Sequence, residues 1–466
     1  MIIIDGYIIH LLMATPLLAA IFITLIPAVD TGSKLAMSKF FSLAGFLIFL
    51  RLAYLFLDNK MPEQHLLSIN LTQFNINIII SITKYNIFLF GAISMSLLAD
   101  MFLYEFNDTK SNTHQVAPFL LTFILFISLG QKDIRVALPI ISVANFIIYF
   151  IIGHSTKRSR GAAIFHTGIF ILTCDALSLV LLQFQPMAND GTAASNLMQM
   201  AILLPGLSRV TLPICAPFMN TLFLNLDESE GPFILTFLHI AGFFILFLTR
   251  GELTIDREIL SATIGCAAVI GALFIALTVI HERKISVLPY YFLAFYSALT
   301  VSIIFIFDES KSWYISAIIF LTSIAVFMHA TKSAILVEQY RNLRTNKSKI
   351  AATWFLSVCL LVGIPGIGIG TVAWPMFYLM FEHHNSSPQP YQSLWSAIIL
   401  SWIAALMILA YGLFTKTSAD YSGGDLTRRG QLLSIKTSFL ISPLLVALLT
   451  LIIPLVTIYA SSKLLK

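Results

Sequence analysis

Residues 198–223 read MQMAILLPGLSRVTLPICAPFMNTLF. The stretch is apolar and long enough to cross a bilayer, yet it carries Pro205, Pro213, Pro217 and one charge, Arg209. Proline removes a backbone donor and its ring collides with the preceding turn, so no straight helix runs through this segment. Residues 350–381, IAATWFLSVCLLVGIPGIGIGTVAWPMFYLMF, have the same character, with Gly363, Pro365, Gly366, Gly368, Gly370 and Pro375. A broken helix at membrane depth is tolerated where its freed backbone is buried in protein or lines a wet cavity. Gly and Pro are also common in ordinary spanning helices, so one such segment alone reads as a packing kink. Two of them, five spans apart, read as an inherited repeat, and paired interruptions of this kind mark an ion or substrate path.

The surrounding composition requires a membrane. The 466 residues are 58% hydrophobic and 11% charged, with mean hydropathy +0.88, whereas a soluble domain carries about 25% charged residues. So few charges cannot build a solvated exterior, and lipid is the solvent for most of the surface. Spanning structures are then helices or closed barrels. Apolar runs of roughly 20 residues suit helices rather than tilted strands of about ten. The expected fold is an all-α integral membrane bundle of about fourteen spans. They lie at 8–28, 36–57, 85–106, 115–131, 135–153, 162–183, 198–223, 232–249, 259–280, 286–307, 312–336, 350–381, 392–415 and 437–460. Residues 1–466 form a single polytopic domain in this reading. The first apolar run, Ile8 to Val29, is too long for a signal-peptide core and lacks a basic flank, so it is the first span.

Orientation follows from the loop cations. The side holding the N-terminus carries nine Lys and Arg, and the other side sixteen. The sixteen face the cytoplasm, which places both termini on the outer face of an inner (plasma) membrane. Arg51, Arg209 and Lys332 are left inside the membrane.

Charges at that depth are costly and face a bundle interior or a wet cavity. The candidates are Asp100, Asp175, Arg209, His239, His329 and Lys332. His329 and Lys332 share a helix face three residues apart, a spacing that fits a proton relay and a buried polar knot equally. A single histidine such as His239 on an apolar helix is more often a hydrogen-bonded core residue than a carrier. The net charge of +5 is no nucleic-acid signal in such a chain. The sequence has no phosphate loop, HExxH, CxxCH or nucleophile elbow. Cys174, Cys215, Cys266 and Cys359 fall in apolar stretches and form no CxxC pair. His383 and His384 read as neighbours on an outer loop, a poor metal site without further ligands. No cofactor and no metal are expected.

Several segments, in order, resemble the antiporter-like membrane subunits of respiratory complex I and the large subunits of Mrp sodium/proton antiporters. They are PGLSRVTLPICAP (205–217), GPFILTFLHIAGFFILFLTR (231–250), HERKISVLPYYFLAFYS (281–297), HATKSAI (329–335), GIPGIGIGTVAWPMF (363–377) and DLTRR (425–429). The resemblance implies fourteen core helices, two inverted five-helix repeats and broken helices 7 and 12. Here those repeats fall at about 115–250 and 259–415, after N-terminal helices in 1–114 and before a last helix at 437–460. It places His239 on the family's histidine and Lys332 on a lysine that relays protons. It also implies departures: Ser142 stands where the family has a glutamate, Arg209 replaces that glutamate's lysine partner, and Ala373 falls near the twelfth-helix carrier. Arginine does not give up its proton in proteins. Arg209 is therefore expected to tune a neighbour, leaving Lys332, His329 and His239 as the groups able to carry protons. The implied function is a proton- or sodium-translocating subunit of a multi-subunit membrane complex. A specialised branch works beside a zinc-containing partner as an inorganic-carbon pump. A non-conducting membrane anchor for a partner subunit is the competing reading, favoured by the three replacements.

Overall fold

A computed structural model describes residues 7–26, 31–57, 64–71, 76–83, 86–103, 112–155, 158–184, 193–210, 231–253, 255–282, 285–306, 347–362 and 369–422, with isolated positions between 316 and 334. Apart from one hairpin, the described elements are helices. They are α1 (Ile8–Leu25), α2 (Thr31–Leu57), α3 (Ile87–Leu103), α4 (Asn112–Leu129), α5 (Ile134–Ser155), α6 (Arg158–Phe184), α7 (Ala193–Ile202), α8 (Leu204–Arg209), α9 (Gly231–Glu252), α10 (Arg257–His281), α11 (Leu288–Ile304), α12 (Lys347–Val362), α13 (Gly370–Ser386) and α14 (Gln389–Ser422). Among the described residues seven helices are long and apolar enough to cross a membrane, and 87–102, 115–129 and 134–149 are shorter apolar helices. The chain is an all-α integral membrane protein, as its composition requires. The expected last span at 437–460 lies outside the described residues.

Within the helices, hydroxyls are satisfied by their own backbone. Thr15, Ser96, Thr122, Thr236 and Thr300 each donate to the carbonyl four residues earlier. That is how a polar side chain survives where no water competes. The outward faces carry bare apolar groups: Leu400, Met407 and Tyr411 of α14 are all well exposed. Such a surface is lipid-facing rather than an error of burial.

The chain divides into two compact units, one with the described residues from 7 to 255 and the other with those from 256 to 422. In the first unit α9 is almost wholly buried and packs against α3, α4, α5 and α8. In the second, α10 lies against α11 and α14, and Asp256 caps its start by accepting from the Glu258 amide at 2.8 Å.

The sequence reading assigns nothing between 57 and 85. The structure places an antiparallel hairpin there, β1 (Gln64–Leu71) and β2 (Ile76–Ile82), with a bulge between His65 and Leu67. Asn86 ties it to the bundle, its side-chain amide donating to the carbonyls of Ser81 (2.9 Å) and Leu129 (2.8 Å). Lys34, one of the sixteen cations that the sequence assigns to the cytoplasmic loops, lies in the first turn of α2 and is buried. His383 and His384 form the last turn of α13 rather than a loop.

Candidate functional site

The seventh span is broken as its prolines require. Helix α7 stops at Ile202, Leu203 turns the chain, and α8 runs for six residues from Leu204. Pro205 sits in its first turn, where a missing amide costs least. Arg209 is the last helical residue, and Val210 leaves in extended conformation (φ −103°, ψ 122°). The carbonyl stranded at the end of α7 is not lost: Ile202 accepts a hydrogen bond from the Ser178 hydroxyl of α6 at 3.0 Å. Such compensation keeps a helix break viable away from water.

Arg209 is fully buried and so is Asp175 of α6. The guanidinium grips the carboxylate with both terminal nitrogens, Nη1 to Oδ1 at 2.7 Å and Nη2 to Oδ2 at 2.6 Å. Nη1 also donates to the Pro205 carbonyl at 2.7 Å. From α5, the Ser142 hydroxyl reaches Asp175 Oδ2 at 2.6 Å and lies 2.9 Å from the Leu138 carbonyl. Three helices thus meet on one carboxylate. A fork-to-fork geometry between Arg and carboxylate is the strong form of a charged hydrogen bond. In this low-dielectric interior either charge alone would be costly, and each makes the other tolerable. Arginine keeps its proton in proteins, so Arg209 brings a fixed positive charge to the pair.

Two glycines let α8 approach this closely. A Cβ on Gly242 of α9 would lie 2.7 Å from Arg209 Cβ and 2.9 Å from the Gly206 carbonyl oxygen. A Cβ on Gly206 would lie 2.5 Å from Leu246 Cγ. Backbone therefore packs on backbone at this crossing, as small residues permit in membranes. His239 lies one turn before Gly242 and is fully buried. Its Nδ1 is 2.7 Å from the Leu235 carbonyl. A carbonyl only accepts, so Nδ1 holds the hydrogen and Nε2 is left as a lone-pair acceptor. Among the described residues Nε2 has no hydrogen-bond partner.

The second unit differs inside. Its twelfth-span break separates α12, ending at Val362, from α13, starting at Gly370. The Tyr296 hydroxyl caps the end of α12 by donating to the Leu361 carbonyl at 2.8 Å. Ala373, where the resemblance expects a carrier, is buried and apolar. Trp354, Trp395 and Trp402 are fully buried in the same unit, with Trp402 edge-on to Phe295 at 5.4 Å. At one end of this unit His383 Nε2 lies 3.6 Å from Glu258 and the ring stands edge-on to Trp395 at 4.9 Å. His329 and Lys332 lie outside the described residues. Among the described residues no group of three His, Cys, Asp or Glu could hold a metal ion.

Chains of solved respiratory complexes superpose on nearly the whole of this one. A chain of "Respiratory complex I from Thermus thermophilus with bound NADH" superposes with TM-score 0.74 at 13% identity, covering 98% of this chain and 99% of that one. A chain of the same complex with bound aureothin gives 0.68 at 11% identity over 96% and 98%. A chain of the membrane-bound sulfane sulfur reductase, described as an archaeal respiratory membrane complex, gives 0.75 at 13% identity over 98% and 96%. The chain therefore shares its fold, over nearly its whole length, with membrane chains of these respiratory complexes. No family model matches the sequence, and neither does any curated protein. A fold shared at this identity leaves the chemistry to be argued from the residues present.

Of the residues singled out in the sequence, Asp175 and Arg209 are joined directly, with Ser142 as third member, while His239 follows on the helix packed against Arg209. The sequence reading named Asp175 without its partner. The available signal was charge complementarity, since Asp175 and Arg209 are the opposite charges deepest in adjacent spans. It also missed Asn145, one turn after Ser142 on the buried face of α5.

Proposed function

We propose that the chain is a proton- or cation-translocating membrane subunit of an energy-coupled, multi-subunit complex. The observation that carries this reading is His239. It is buried on a central helix, its tautomer is fixed by Leu235, and its Nε2, without a hydrogen-bond partner among the described residues, sits on the helix that abuts the Asp175–Arg209 pair. A proton-accepting nitrogen beside a fixed positive charge is the arrangement a relay needs, the charge biasing occupancy without exchanging its own proton. Arg209 and Asp175 tune; His239, with His329 and Lys332 in the second unit, carries. The complete chain-length match to subunits of respiratory membrane complexes supports partners of the same kind. The loop-cation count supports an inner membrane location with both termini outside. Driving inorganic-carbon uptake beside a zinc-containing partner is the most specialised form of this reading, and sequence resemblance alone supports it.

The buried pair also favours a second reading. A bidentate lock in place of a titratable lysine, with Ala373 at the other break, suits a membrane anchor that conducts nothing. Proton uptake into sealed vesicles holding the chain with its co-purified partners separates the two. Wild type is expected to take up protons under an applied gradient. His239→Ala and Lys332→Ala are expected to fall to the level of empty vesicles at equal expression. Wild-type vesicles that behave as empty ones at every gradient establish the anchor.

A further inference from the structure

The last turn of α13 carries adjacent histidines, and each meets oxygen from a different neighbouring helix. His383 is buried. Its Nε2 faces Glu258 Oε2 of α10 at 3.6 Å and Ser387 Oγ at 3.4 Å. The Ser387 hydroxyl is 3.5 Å from Glu258 Oε2 but only 2.9 Å from the His383 carbonyl, which takes its hydrogen. A lone pair of that hydroxyl is then left toward the ring. His384 is half-buried between two oxygens. Its Nδ1 is 3.0 Å from Asn385 Oδ1, and its Nε2 is 2.8 Å from Ser396 Oγ of α14. Ser396 donates to the Gln392 carbonyl at 3.0 Å, so it too turns a lone pair to the ring.

A neutral imidazole has one N–H. It cannot donate from both nitrogens of His384, and it brings no charge to Glu258. An imidazolium donates from both and attracts the carboxylate. Protonation therefore adds bonds from the end of α13 to α10 through His383 and to α14 through His384. The helix ends act in the same sense. A cation is favoured in the last turn of α13 and an anion in the first turn of α10, where Glu258 lies. The neighbouring helices bring few other charges. On α10, Asp256 accepts from the Glu258 amide, and Arg257 follows it in sequence. Helix α14 has Tyr391 in its first turn and no charged residue from 389 to 415, and α12 has none from 350 to 362. On α13 itself Glu382 precedes the histidines and is exposed. We propose that His383 and His384 form a pH-sensitive latch: in mildly acidic solution the charged rings fasten the end of α13 to α10 and α14, and deprotonation releases it. Helix α13 is the half that follows the break in its span, so the latch restrains the broken span by its far end. It acts on the chain's own conformation and holds whether or not the chain moves protons.

Hydrogen exchange of the chain with its co-purified partners in detergent, read by mass spectrometry at about pH 5 and about pH 8, tests the latch. The quantity followed is the protection of amides 382–387, corrected for the intrinsic pH dependence of exchange. Wild type is expected to lose about two- to fivefold of that protection at the higher pH, the scale of a partly exposed ion pair, while amides 264–272 of α10 keep theirs. Protection of 382–387 that is the same at both pH values overturns the proposal, and wild type alone decides that outcome. The double variant His383→Gln with His384→Gln is expected to lose the pH dependence, and Glu258→Gln to weaken it. A double variant that keeps the wild-type dependence also overturns the proposal, because the titrating group then lies elsewhere.

Discussion

In the first unit the broken span carries a charge: α8 delivers Arg209 to the Asp175 carboxylate of α6, which also accepts from the Ser142 hydroxyl of α5. In the second unit the corresponding break hands over to α13 with Ala373 buried in its first turn, and the described interior is rich in tryptophan. Its His383–Glu258 contact joins the last turn of α13 to the first turn of α10, with the Glu258 side chain partly exposed. The same backbone device thus serves two different interiors. A broken helix supplies a place where side chains from several helices converge, and the residues at the break decide whether that place is charged. The difference separates the cost of burying charge from the cost of breaking a helix, which usually occur together.

The sharpest way to break this comparison is Asp175→Asn. It leaves the Arg209 guanidinium buried beside a neutral amide, and removing one partner of such a pair costs about 3–5 kcal/mol. Thermal unfolding in detergent should show a large fall in melting temperature. The double variant Asp175→Leu with Arg209→Met should recover most of it, since replacing both charges leaves none stranded. If the single variant melts as wild type does, the pair is not a buried unit and the contrast collapses.

Ser142→Ala tests the third member. The hydroxyl is a hydrogen bond to a charged acceptor, with an expected loss of about 1.5–3 kcal/mol in the same assay. Gly242→Ala sharpens the role of close approach. Its Cβ would press on Arg209 Cβ and the Gly206 carbonyl, and overpacking of this kind costs about 1–3 kcal/mol. Gly251→Ala on the same helix meets nothing within 4 Å and should be neutral or stabilising by about 0.5–1 kcal/mol, because alanine loses less entropy in a helix. The smallest effect is expected from Glu258→Gln. The carboxylate is about a quarter exposed and 3.6 Å from His383, so its removal should cost no more than about 1 kcal/mol. A melting shift as large as that of Asp175→Asn would mean that the second unit depends on charge after all.

Much of this was legible in the chain. The breaks at 198–223 and 350–381 are visible as Pro and Gly in apolar runs, and both appear as separate helices in the structure. The spans are legible because lipid tolerates only closed backbone hydrogen bonding, which imposes length and hydropathy on each helix. The hairpin at 64–82 was less so. Its register depends on pairing across the sheet, and its anchorage runs from Asn86 to Leu129, 43 residues away in sequence. Asn145 shows the same limit within the site: one polar residue on an apolar helix carries little signal until its buried face is known.

The amino-acid sequence by itself determined the solvent, the helices and the places where they break, because these follow from local composition and from the cost of unpaired backbone in lipid. It also restricted the chemistry, since an arginine at 209 cannot trade its proton whatever surrounds it. Only the tertiary structure decided which acid answers that arginine. Asp175 and Arg209 are 34 residues apart, on helices α6 and α8 that pack directly against each other. Coulomb attraction in a low-dielectric interior depends on distance and burial, and neither is written in the order of residues along the chain.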